Sequence, residues 1–112
     1  MGDHEGGEPG VWVSSGDEWL VVHVGGEMDI DRAPMLADAL LTAITQSEGP
    51  REIVVDLAEL SFCDSAGLNA LIQARRTAAE YGKRLTLRSP QSQVVRLLKM
   101  TGADALFPVT DT

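Results

Sequence analysis

The chain has 112 residues, 44% of them hydrophobic, 23% charged and 4% aromatic, which is the size of one domain with one modest core. Nine Lys and Arg against seventeen Asp and Glu give a net charge of -8, which argues against a general nucleic-acid binder, because phosphate contacts need clustered cations. No G-X-Y or heptad run, no apolar stretch near the roughly 20 residues of a membrane span and no basic-then-apolar leader is present, so a fibrous, membrane-spanning or exported chain is not expected.

Residues 1–10, MGDHEGGEPG, hold four glycines and no apolar periodicity, and are expected to form a disordered acidic tail ahead of a folded domain over 11–112. Gly6 stands where a myristoylation signal needs Ser or Thr. Val11-Trp12-Val13 predicts a short strand, and Gly16-Asp17 a turn within Ser14–Glu18. Trp19–Val24 is apolar on both faces and predicts a central strand ended by Gly25-Gly26. Asp31 is placed to cap a helix that has Pro34 in its first turn. Leu36, Ala37, Leu40, Ala43 and Ile44 continue it at helical spacing, and Glu48-Gly49-Pro50 stops it.

Arg51–Leu57 predicts a second buried strand, followed by a connection through Phe62-Cys63 and a helix starting at Asp64 or Ser65. At 100° per residue, Asn69, Gln73, Arg76, Thr77, Glu80 and Lys83 fall in one arc. Leu68, Leu71, Ile72, Ala74, Ala78 and Tyr81 fall in the other, with Arg75 among them, its stem packed and its head reaching water. Gly82 ends that helix. Leu85-Thr86-Leu87 predicts a core strand, Ser89-Pro90 the cap and first residue of a last helix, Gly102 its stop, and Phe107-Pro108-Val109 a short edge strand. The order β-β-α-β-α-β-α-β implies a single α/β domain, with a mixed, mostly parallel sheet packed with α-helices and opened by an antiparallel hairpin.

Sites in open α/β sheets lie beyond the carboxyl ends of the strands. Two loops there carry polar groups, Gly26-Glu27-Met28-Asp29-Ile30 and Phe62-Cys63-Asp64-Ser65-Ala66-Gly67-Leu68. If their strands are parallel neighbours, Asp29, Asp64 and Ser65 converge. Taken alone, each loop reads as structural: Asp64-Ser65 as a helix N-cap, Asp29 as a turn or cap residue, Gly67 as a point of close packing.

Taken together the two loops carry more. The run Ile53–Leu68, IVVDLAELSFCDSAGL, resembles the signature of STAS domains, the anti-sigma factor antagonist family, and Gly26-Glu27-Met28-Asp29 resembles that family's other landmark loop. Leu97-Leu98-Lys99-Met100-Thr101-Gly102, followed by Leu106-Phe107, is similar to its last helix and terminal strand, so the resemblance spans about residues 11–109. It implies a non-enzymatic regulator that switches partners. The unmodified form binds an anti-sigma factor, itself a serine kinase, and frees a sigma factor for transcription. Ser65 stands where the family is phosphorylated, and a metal-dependent serine phosphatase restores the active form. Ala66 replaces a hydroxyl that many relatives carry, leaving Ser65 as the acceptor. The expected docking residues are Asp29, Asp64, Ser65, Gly67, Leu68 and Asn69, with Asp64 positioning the Ser65 hydroxyl and Gln73 and Arg76 extending the surface.

A phosphate adds about -1.5 to -2 charges at pH 7. A helix N-terminus partly accommodates it, by about 0.3–1 kcal/mol, while Asp29 and Asp64 oppose it. The expected effect is an altered surface rather than unfolding, through steric exclusion and phosphate desolvation at the interface.

Other chemistries fit poorly. Cys63-Asp64-Ser65-Ala66-Gly67 lacks the first Gly of a nucleophile elbow, and of the histidines His4 is in the tail and His23 reads as a packed strand residue. His23, Cys63, Asp29 and Asp64 have no metal-ligand spacing, and no Gly-rich phosphate loop is present, so neither metal nor cofactor is expected. Cys63, beside Asp64, is expected to have a raised pKa and to act as a small core residue. The single cysteine also fits a reducing cytoplasm. The alternative role within the family is a soluble STAS subunit of a lipid-transport or stress-sensing complex, told apart by whether a kinase or a transporter ATPase is captured.

Finally, the charge is divided. Residues 1–64 hold fourteen acids and two bases, net -12; residues 65–112 hold three acids and seven bases, net +4. The sign changes between Asp64 and Ser65.

Overall fold

A computed structural model describes residues 10–46 and 49–111. The strands are β1 (Gly10–Ser15), β2 (Trp19–Met28), β3 (Glu52–Cys63), β4 (Arg84–Arg88) and β5 (Val109–Thr110). The helices are α1 (Ala33–Thr45), α2 (Ser65–Glu80) and α3 (Ser92–Thr101), with a single 3-10 turn over Ala103–Ala105. The expected tail lies outside the described residues apart from Gly10, which already belongs to β1. Glu48, part of the expected helix stop, also lies outside them; α1 ends at Thr45.

The sheet order is β1-β2-β3-β4-β5. β1 pairs antiparallel with β2, and every later neighbour is parallel. Consecutive parallel neighbours joined by crossovers of one hand place their helices on one side. The core follows from this. Leu20, Val22 and Val24 of β2, Ile53, Val55 and Leu57 of β3, and Leu85 and Leu87 of β4 form one buried cluster with Leu36, Leu40 and Ile44 of α1, Leu68 and Leu71 of α2, and Val94 and Leu98 of α3. Strand side chains alternate between faces, so Trp19, His23, Val54, Asp56, Thr86 and Arg88 belong to the opposite face.

Several boundaries differ from expectation, each for a local reason. Gly25-Gly26 does not end β2. The strand continues to Met28 by absorbing register shifts between His23 and Gly25 and between Gly26 and Glu27, and Gly26 takes φ +82°, a left-handed conformation open to glycine. β3 likewise runs on to Cys63, because β2 beside it offers a partner as far as Met28↔Cys63. Asp31 does not cap α1. That position is Arg32, without a side-chain cap, and Pro34 lies in the first turn as expected. Ser89-Pro90 does not open α3. Ser89 has φ +56° and its backbone N–H donates to the Thr110 carbonyl at 2.7 Å, which ties the end of β4 to β5. The last strand accordingly falls at Val109–Thr110 rather than at Phe107–Val109, and the Phe107 side chain is buried instead. Tyr81, placed by periodicity on the apolar side, caps α2 and is 47% exposed. Arg75 is exposed, and its guanidinium Nε donates to the Leu106 carbonyl.

Candidate functional site

Asp29 follows β2 and Asp64 follows β3. Because those strands are parallel and end together, the backbone N–H of Asp64 donates to the Met28 carbonyl at 3.1 Å. The two loops predicted to converge therefore do so, at the carboxyl end of the sheet.

Each acid organises its own backbone. An Asp29 carboxylate oxygen accepts from the N–H of Asp31 at 3.1 Å and of Arg32 at 3.2 Å. The Asp29 carbonyl accepts from Ala33 N–H at 2.8 Å, so this one residue supplies the entry to α1 that Asp31 was expected to supply. Asp64 is the N-cap of α2, its Oδ1 accepting from Ala66 N–H at 2.9 Å and Gly67 N–H at 3.2 Å. Ser65 is exposed as the first residue of α2, and among the described residues its hydroxyl makes no hydrogen bond. Asp64 thus orients the turn that carries Ser65, not the hydroxyl itself. It also occupies two of the N–H donors that an added phosphate would otherwise use.

Gly67 and Leu68 are corrected as surface residues. Leu68 is 5% exposed and its side chain joins the core. A Cβ at position 67 would lie 2.8 Å from Cys63 Sγ and 2.9 Å from Met28 Cγ, so α2 can approach the strand ends only through a glycine. Against 39% for Phe62, the most exposed large apolar residue of the two loops is Ile30, at 72%. Together with Pro34 and Ala37 of α1 and Ala66, Asn69 and Gln73 of α2 it lines an open groove of about 310 Å³ beside Ser65. Asn69 and Gln73 sit as expected on the exposed side, and Arg76 Nη1 donates to Gln73 Oε1 at 3.3 Å. Ile30 escaped the sequence reading because a lone apolar residue in a polar loop has no periodicity to flag it.

Cys63 is buried at the end of β3, and burial, followed by the Asp64 charge, pushes its thiol up to about 11. Among the described residues no group of three His, Cys, Asp or Glu is arranged to hold a metal ion, and no helix is long and apolar enough to cross a membrane.

A second polar cluster was not foreseen. Ser14 Oγ lies 2.9 Å from His23 Nε2, His23 Nδ1 lies 3.0 Å from Asp56 Oδ2, and Arg88 Nη2 donates to the same oxygen at 3.1 Å. The His23 ring stacks on Trp12 with centroids 5.5 Å apart. The row runs across β1 to β4 on the sheet face opposite the core, with Ser14 exposed on the edge strand. Its order copies a nucleophile, base and acid, yet the acid is already paired with a guanidinium. Burial raises the Asp56 carboxyl, and the hydrogen bonds from Ala58 N–H, Arg88 and His23 outweigh it, leaving the group below its ordinary value.

Comparison with known proteins matches this geometry. The family model described as "Mlab, STAS domain" matches residues 12–108. The anti-sigma-B factor antagonist of Staphylococcus aureus (strain NCTC 8325) is 32% identical over 95 residues, covering 85% of this chain and 86% of that one. The crystal structure of an anti-sigma factor antagonist from Mycobacterium paratuberculosis superposes with a TM-score of 0.81 at 28% identity, over 92% of this chain and 86% of its own. The Bacillus cell fate determinant SpoIIAA in its phosphorylated form shares the fold, with a TM-score of 0.72 at 21% identity over 92% of each chain. With its sheet, its paired Asp29 and Asp64 loops and these relatives, the chain belongs to the STAS domain family, the family of the anti-sigma factor antagonists.

Proposed function

We propose that this chain is a cytoplasmic anti-sigma factor antagonist that works by partner switching. Unmodified, it docks its carboxyl sheet end on an anti-sigma factor that is a serine kinase, and so frees a sigma factor. Phosphorylation of Ser65 ends the docking, and a serine phosphatase restores it. The observation that carries this reading is Ser65: an exposed, unbonded hydroxyl on a capped helix start, beside an open apolar groove.

The capped start decides how the switch works. Asp64 already takes the Ala66 and Gly67 N–H groups, so a phosphate finds few internal donors and stays hydrated on the surface. Docking must then strip or displace a dianion, and each 1.4 kcal/mol or so of that cost lowers affinity about tenfold.

The test mixes the chain with its cognate anti-sigma kinase and ATP and follows intact mass. Wild type is expected to gain one phosphate and Ser65→Ala none, with the phosphatase reversing the gain. Ser65→Asp is expected to bind the kinase at least tenfold more weakly. Phosphate incorporation persisting in Ser65→Ala, or wild-type affinity in Ser65→Asp, overturns the reading.

A further inference from the structure

β4 pairs with β3 only as far as Asp56↔Arg88, whereas β3 continues to Cys63. Over that overhang no strand of the described residues covers the β4 side of β3. Within a strand, the N–H and C=O of one residue point the same way and alternate from residue to residue. Asp64 N–H points to β2, where it meets the Met28 carbonyl. Cys63 N–H and C=O therefore point to the uncovered side.

A side chain completes the ladder. Gln93 Oε1 accepts from Cys63 N–H at 2.9 Å, and Gln93 Nε2 donates to the Cys63 carbonyl at 3.0 Å. The carboxamide offers the same acceptor and donor as a peptide group and occupies the place of the missing strand. Gln91 Nε2 makes a single bond of this kind, to the Ala58 carbonyl at 2.7 Å. These bonds account for the uncapped start of α3, whose N-cap Gln91 spends its side chain on β3.

We propose that Gln93 is a positioning residue for the modification of Ser65, holding the strand end from which the Ser65 hydroxyl is presented. The inference rests on the reading of Ser65 as phospho-acceptor. Among the described residues the hydroxyl makes no hydrogen bond, so its base at Cβ is placed by the backbone beneath it alone. That backbone is held by Met28 and Leu68 at Asp64, by the Asp64 cap at Ala66 and Gly67, and by Gln93 at Cys63. Phosphoryl transfer depends on the placement of the attacking oxygen, and small misplacements cost large factors in rate. Gln93 lies on a different element from the proposed docking groove, so its loss should act on the chemical step and not on docking.

The experiment measures phosphorylation kinetics with the cognate kinase for wild type, Gln93→Ala, Gln93→Glu and Gln91→Ala, at a temperature where circular dichroism shows each folded. Amide hydrogen exchange at Cys63 is followed in the same proteins. Gln93→Ala is expected to lower kcat at least tenfold with KM within about twofold, and to speed Cys63 amide exchange at least tenfold. Gln93→Glu keeps the acceptor and loses the donor, so it should retain Cys63 protection while still losing rate. Gln91→Ala, which breaks a bond five residues upstream, should keep kcat within twofold. A wild-type kcat in Gln93→Ala together with fast Cys63 exchange overturns the positioning role. So does an equal loss in Gln91→Ala, which marks a general structural effect. If wild type takes up no phosphate at Ser65, the underlying reading fails first, and the exchange data show separately whether Gln93 holds Cys63.

Discussion

Asp64 organises the start of α2. Its carboxylate closes the first turn of α2, so Asp64→Ala should lower stability by about 1 kcal/mol in urea unfolding without changing the slope. Gly67 is the stricter position. Gly67→Ala pushes a methyl into Cys63 Sγ and Met28 Cγ and should cost about 1–3 kcal/mol in the same assay. The raised Cys63 thiol gives a third check: at pH 8 a disulfide reagent should label it slowly in the native chain and rapidly in denaturant. The Asp64 cap and the buried Cys63 were legible in the sequence, since cap chemistry and an adjacent acid are local. Leu68 was not. Helical spacing put it among the apolar residues of α2 while the family resemblance put it on the docking surface, and the structure decides for the core.

At the scale of elements, the row from Ser14 through His23 and Asp56 to Arg88 ties β1, β2, β3 and β4 together. Its pH dependence has a definite sign. The Asp56 carboxyl is held below its ordinary value of 3.8 when folded, so its contribution is fully present above that value and is lost as the pH falls through the folded one. The gap in urea midpoint between wild type and Asp56→Asn should be open at pH 7 and narrow steadily below pH 4. The same scale holds most of the differences from expectation. The periods of β2, β3 and α2 were visible, because apolar alternation and helical spacing are properties of the segment itself. The extensions of β2 to Met28 and β3 to Cys63 were not, because each exists only by pairing with the other. The start of α3 moved to Ser92 because Ser89 is engaged by β5 and Gln91 by β3.

Across the whole molecule, the parallel sheet has two ends that carry different charged groups. β2, β3 and β4 begin in register at Trp19, Glu52 and Arg84, near Arg51 and Lys83. β2 and β3 finish at Met28 and Cys63, beside Glu27, Asp29, Asp31 and Asp64. Four acids thus stand at the carboxyl end, near the groove lined by Ile30, Ala66 and Asn69, while Asp17, Glu18 and Glu52 stand at the start of β2 and β3. Lys83 is turned inward, its Nζ donating to the Gln46 carbonyl at 2.6 Å, and Arg88 is spent on Asp56. If docking uses the carboxyl end, Asn69→Arg should weaken anti-sigma factor binding at least tenfold by calorimetry. Arg84→Glu, at the far end and in a loose exposed pair with Glu52, should leave it within twofold.

The sequence by itself determined the α/β class, the order of elements, the family resemblance and the capped helix at Asp64. All of these rest on short-range patterns: periodicity, capping chemistry and contiguous motifs. Only the tertiary structure decided that Ile30 stands exposed beside the α1–α2 groove and that Gln93 holds the end of β3. Each of those depends on partners 30 or more residues away in sequence, and burial and ladder completion are settled by which elements lie side by side.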